Sequence, residues 1–140
     1  MQQVKGRAIS TVWWWLSPVL WPASEAETAG LVKRLCKSGA RRFVLNAPWQ
    51  AGLFGGRDKL DLWAGPFCNL ANPLAFDTLR QAGFSGAFVS PELGQEAFLD
   101  LPRNSPLPLG MVIAGMWPLC LSRVISEEVK LREPFSSPRG

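Results

Sequence analysis

From Ile9 to Leu16 the chain reads ISTVWWWL, an apolar run interrupted only by Ser10 and Thr11. β-Branched and aromatic residues in such a run suit a strand covered on both faces, and Pro18 supplies its end. Ser24-Glu25-Ala26-Glu27 has the form of a capping box, with Ser24 placed to cap a helix and Glu27 to answer it. Ala29, Val32, Leu35 and Cys36 recur at helical spacing along one face, and Gly39 stands where a left-handed helix cap belongs. Arg42 to Asn46 (RFVLN) then reads as a short buried strand, completing a β-α-β unit.

The pattern recurs. Asn72-Pro73 is a helix start, Ala75, Phe76, Leu79 and Ala82 form an apolar face, Gly83 closes the helix, and Gly86 to Ser90 (GAFVS) is the next strand. Aligning Gly39 with Gly83 sets Val44-Leu45-Asn46 over Phe88-Val89-Ser90, so both units end a strand in a polar residue. Between them Leu60 to Phe67 reads as a strand ending near Cys68-Asn69. Gly94 to Leu101 reads as a short helix, and Leu109 to Ala114 as a fifth strand. Strands alternating with helices predict a parallel sheet with right-handed crossovers. Residues 132–140 lack periodicity and read as an unstructured tail, which leaves 1–131 as one domain.

The tryptophan run has an alternative reading. Lys5 and Arg7, the stretch Ala8 to Trp21, and Ala23-Ser24 imitate the three parts of a secretory signal. The run, however, holds Ser10, Thr11, Ser17 and Pro18, and its bulk is tryptophan, which prefers the membrane interface to the hydrocarbon. It also falls short of the ~20 apolar residues that a spanning helix needs. The strand is the favoured reading, so no membrane association and a cytoplasmic location are expected.

Composition narrows the chemistry. The 140 residues suit a single core, and the net charge of +4 is too modest to point to nucleic acid. Lys33, Arg34, Lys37, Arg41 and Arg42 gather across a helix end and the following turn, where cations suit the helix dipole, so a solvated face is the favoured reading over a phosphate-binding patch. Gly55-Gly56-Arg57 lacks the Lys-Ser/Thr of a phosphate loop. Histidine and tyrosine are both absent, which removes Ser-His and Cys-His activation and imidazole metal sites. Cys36, Cys68 and Cys120 are too few and too scattered for a disulfide framework or a zinc site, and they read as small buried hydrophobes.

The segment Gly65 to Phe98, GPFCNLANPLAFDTLRQAGFSGAFVSPELGQEAF, resembles the collagenase-like peptidases of unassigned catalytic type, family U-32. The resemblance is carried by Asn69, Asn72, Gly83 and Ser90-Pro91-Glu92-Leu93, then by Gly115 and Pro118-Leu119, and it spans roughly Ala40 to Arg123. It implies a TIM-like (β/α) barrel acting on a peptide or protein substrate. Relatives in that family work on RNA or in quinone hydroxylation with an iron–sulfur cluster held by four cysteines around and beyond the Pro-Leu segment. Beyond Cys120 this chain has no further cysteine, so no cluster and no other cofactor is expected. A full barrel takes about eight strands. The five read here make a partial barrel, completed by an N-terminal half, by another chain or by a second copy.

In such folds the working surface lies at the C-terminal ends of the strands. Asn46, Asn69, Ser90 and Glu92 fall there and Asn72 opens the next helix, as a candidate substrate-binding group around Glu92, the one carboxylate among them. Glu92 is the candidate for acid–base work or metal ligation, with support of a helix first turn as its structural alternative. Asn72 has helix capping as its own. Cys68 is a candidate nucleophile, and its alternative is burial. Arg123 is a candidate for binding an anionic group, or a surface ion pair.

Overall fold

The computed structural model describes residues 9–56 and 59–115. Arg123, Arg57, Cys120, the Pro118-Leu119 pair and the 132–140 tail lie outside the described residues. Among the described residues five strands and three α-helices follow in order: β1 (Trp13–Trp15), α1 (Pro22–Lys37), β2 (Arg42–Leu45), β3 (Asp61–Ala64), α2 (Pro73–Gln81), β4 (Gly86–Phe88), α3 (Gln95–Asn104) and β5 (Leu109–Gly110). Every pairing is parallel, and the order across the sheet is the order along the chain, β1-β2-β3-β4-β5. The expected α/β architecture of five parallel strands alternating with helices is present. Between β2 and β3 the connection carries a short 3₁₀ turn, Pro48–Leu53, in place of an α-helix. An open cleft of about 660 Å³ lies there, between Val32, Lys33 and Cys36 of α1 and the segment Gly52 to Gly56. Among the described residues no helix is long and apolar enough to cross a membrane.

Several boundaries differ from the sequence pattern, each for a local reason. The first strand covers three residues rather than Ile9 to Leu16, because Ile9 to Thr11 turn before the chain meets its partner β2. Ser24 does not cap α1. Pro22 occupies the first helical turn, where its missing N–H costs nothing, and Trp21 takes the cap position, its carbonyl accepting from Ser24 N at 2.8 Å. The helix does end as expected, with Gly39 at φ 100° and Ala40 N donating back to Leu35 O at 3.0 Å. The third strand stops at Ala64, because Pro66–Cys68 form a 3₁₀ turn. Helix α3 runs through Pro102 to Asn104, whose side-chain amide reaches back to Asp100 O at 3.3 Å. The fifth strand pairs over two residues only.

Strand alternation divides the sheet into two unlike faces. Phe43, Leu45, Leu62, Ala64, Ala87 and Val89 join Val32 and Leu35 of α1, Phe76 and Leu79 of α2 and Leu101 of α3 in one core. The opposite face carries Trp13 and Trp15 on β1, Val44 on β2, Trp63 on β3 and Phe88 on β4, and these line a second cavity. Large side chains on this face lean over the next strand, and glycines make room for them. A Cβ at Gly86 would lie well inside contact distance of the Trp63 indole, one at Gly65 would collide with the Asn46 amide, and one at Gly110 would come within 3.1 Å of the Phe88 ring.

Trp63 cannot swing aside freely, since its Nε1 donates to Asp61 Oδ1 at 3.1 Å. Gly86→Ala is therefore expected to destabilise the fold by about 1–3 kcal/mol, and the loss should be largely absent in a Trp63→Leu background. Urea unfolding of the two single variants and the double variant measures the coupling.

Candidate functional site

Because the strands are parallel, the C-terminal ends of β1 to β4 share one edge of the sheet, and Asn46, Asn69, Ser90 and Glu92 follow strand ends on that edge. Asn46 follows β2 directly. It is buried, and its Nδ2 donates to Leu16 O at 2.8 Å, tying the end of β1 to that of β2. Its Oδ1 lies over Gly65 and has no hydrogen-bond partner among the described residues, leaving a buried acceptor.

Beyond β3, Gly65 N donates to Leu45 O at 2.7 Å, and the chain coils through Pro66–Cys68. Asn69 follows in the left-handed region at φ 50°, a conformation that its short amide tolerates better than most side chains. Past β4, Ser90 Oγ donates to Asn69 Oδ1 and accepts from Glu92 N at 3.2 Å. Ser90 N in turn donates to Leu70 O at 2.9 Å. Asn69, Ser90 and the Glu92 backbone thus form one linked group, with the Glu92 residue exposed at its rim.

Asn72 stands apart in role. Its Oδ1 accepts from Ala75 N at 2.9 Å, which caps α2, so the structural alternative describes the bond it makes. Cys68 Sγ donates to Leu45 O at 3.3 Å, and burial pushes its pKa up from 9.0 to about 11 despite an opposing hydrogen bond from the Gly65 backbone. That is the reverse of what a thiolate nucleophile requires. Arg123 lies outside the described residues. In the basic cluster, Arg41 donates to Cys36 O at 3.0 Å and Ala40 O at 2.8 Å at the end of α1, and Arg42 sits 3.9 Å from Asp61 across β2 and β3. Among the described residues no group of three or more acidic or thiol side chains gathers to hold a metal.

Gln50 belongs to this edge and was not anticipated. It is fully buried, its Oε1 accepts from Ala47 N at 3.2 Å, and its Nε2 donates to Ser17 O at 2.7 Å. Gln50 and Asn46 together pin the chain leaving β1. The available signal was a lone polar residue inside PWQAGL, which by itself does not separate a buried amide from a loop residue. Comparison of the chain with protein-family models, curated proteins and solved structures finds no match.

Two outcomes follow for this edge. At pH 8 a thiol with its pKa near 11 holds about a hundredfold less thiolate than one at 9.0. Iodoacetamide labelling mapped by mass spectrometry is expected to leave Cys68 largely unmodified in the folded chain and to modify it in urea. The raised pKa also favours the folded state only while the thiol stays protonated. Stability should therefore fall as pH rises from about 9 towards 11, and Cys68→Ala should lose that part of the decline.

Proposed function

We propose that the chain is part of a TIM-like (β/α) barrel of the U-32 collagenase-like peptidase type and that its C-terminal strand edge binds polypeptide. A sheet ordered as the chain is ordered, with its helices on one face, is how such a barrel is built, whereas doubly wound sheets reverse their order. Among the described residues strands β1 and β5 form the two edges of the sheet, and the barrel is completed by an N-terminal half, by another chain or by a second copy. The observation that carries the functional reading is the linked group Asn69, Ser90 and Glu92 beside Asn46. The Asn69 amide and the Ser90 hydroxyl, with the exposed Glu92 carboxylate at their rim, are groups of the kind that pair with the donors and acceptors of a peptide backbone.

If the chain hydrolyses that peptide, Glu92 is the group placed to act as general base on a water, since Cys68 is held as a thiol. A second reading, a non-catalytic interaction module, is favoured by the bonds already made. Ser90 is engaged with Asn69 and Cys68 with Leu45, which leaves Glu92 without an activating partner among the described residues.

Hydrolysis of casein or gelatin by the purified chain, lost by at least about a hundredfold in Glu92→Gln, is the outcome expected of the peptidase. Saturable binding of the same proteins without cleavage, weakened by Ser90→Ala, is the outcome expected of the module. Neither cleavage nor binding would defeat the polypeptide reading altogether.

A further inference from the structure

The cleft of about 660 Å³ beside α1 lies at the connection between β2 and β3, which carries a 3₁₀ turn where the other connections carry helices. The sheet beneath is not left bare. Phe54 meets Phe43 at 4.9 Å between ring centroids and both are buried, so the turn and its end already cover that part of the core. The cleft is thus a depression in a covered surface, on the helix side of the sheet and outside the interior of the proposed barrel.

Its lining is of two kinds. Ala29, Val32 and Cys36 of α1, with Leu53 and Phe54 opposite, make it apolar. Among the described residues Lys33 and Lys37, one helical turn apart, carry the only charges of the lining, and neither is ion-paired. Arg34 Nη1 approaches the same border, 3.5 Å from where a Cβ on Gly30 would stand. The structure therefore divides the basic cluster. Arg41 is engaged by carbonyls at the end of α1 and Arg42 by Asp61 and the Trp13 ring, whereas the two lysines are left to a ligand. The facing wall is backbone: Gly52, Gly55 and Gly56 have nothing within 4 Å of where a Cβ would stand, so an extended chain can lie against their peptide groups.

A volume of this size is in the range of small-molecule sites, whose usual make-up is an apolar lining with a few placed polar groups. Among the described residues no carboxylate, amide or hydroxyl side chain lines the cleft. A sugar or a base, whose hydroxyl and amino groups need acceptors, is poorly served by such a lining, and an anion on an alkyl chain is well served. The C-terminus of α1 answers part of the Lys37 charge, which leaves Lys33, a turn further in, as the stronger partner.

We infer that the cleft between α1 and residues 52–56 binds an alkyl carboxylate of fatty-acid type, its chain along Val32, Cys36 and Leu53 and its carboxylate at Lys33 and Lys37. The site is separate from the strand edge that carries Asn46 and Ser90, and it does not depend on the polypeptide reading of that edge.

The test is titration of the full chain with hexanoate, octanoate and decanoate below their micellar concentrations. Binding is read by saturation-transfer NMR of the ligand, and its place by mass-spectrometric mapping of N-ethylmaleimide labelling. Affinity is expected to rise about tenfold for each two methylenes added, and saturating decanoate should slow the labelling of Cys36, which lines the cleft. Octanol, the neutral counterpart of octanoate, should bind about fivefold more weakly. Lys33→Gln should remove most of that difference while leaving octanol binding and urea unfolding unchanged, and Arg103→Gln on α3 should alter neither ligand. Equal binding of octanol and octanoate would show an apolar slot without charge recognition and overturn the proposal. Unchanged Cys36 labelling at saturation, which would put the ligand elsewhere, or an absence of binding by all three carboxylates would do the same.

Discussion

Three contacts on the sheet face away from the helices set the terms for everything else: the Asn46 amide over Gly65, the Trp63 indole over Gly86 and the Phe88 ring over Gly110. In each, a side chain crosses to the following strand and occupies the volume where that strand's Cβ would stand. A parallel sheet has evenly spaced backbone hydrogen bonds and little in them to prefer one register over another. These interlocked positions do prefer one. A slip of one residue would carry Phe43 and Leu62 out of the core and turn side chains such as Trp63 toward the helices.

The polar edge inherits its geometry from the same arrangement. Asn46 can lie flat across the sheet and reach Leu16 O only because Gly65 leaves space beneath it. The turn after β3 starts at that glycine and delivers Cys68 to Leu45 O and Asn69 to Ser90. Burial then separates the possible chemistries. The thiol is held protonated in a bond to a carbonyl, while the Glu92 side chain stays at the solvent boundary. The polar residues at the strand ends are thus mostly engaged in holding one another.

Much of this was legible in the sequence wherever the signal was local. Gly39 and Gly83 close their helices with positive φ, and Asn72 caps α2. The strands at Arg42 and Gly86 begin where the alternation places them. The start of α1 departs from the local pattern: Ser24 and Glu27 fit a capping box, yet Pro22 two residues earlier is already shaped for the first turn. The lengths of β1 and β5 depend on how much partner strand faces them, and no local pattern encodes that. In the site, Asn46, Asn69, Ser90 and Glu92 could be placed together from strand ends alone. The burial of Gln50 and the ring contacts joining Trp13, Trp63, Phe88 and Trp15 could not, since they arise from register between strands far apart in the sequence.

The agreement between strand order and chain order bears on how the molecule reaches its fold. Each strand pairs with the one that follows it, so no pairing waits for a distant segment, and the loops closed along the way stay short by the standards of parallel sheets. Each β-α-β step can therefore form on the one before it, as a zipper closes, with every new strand laid against the last without disturbing any contact already made.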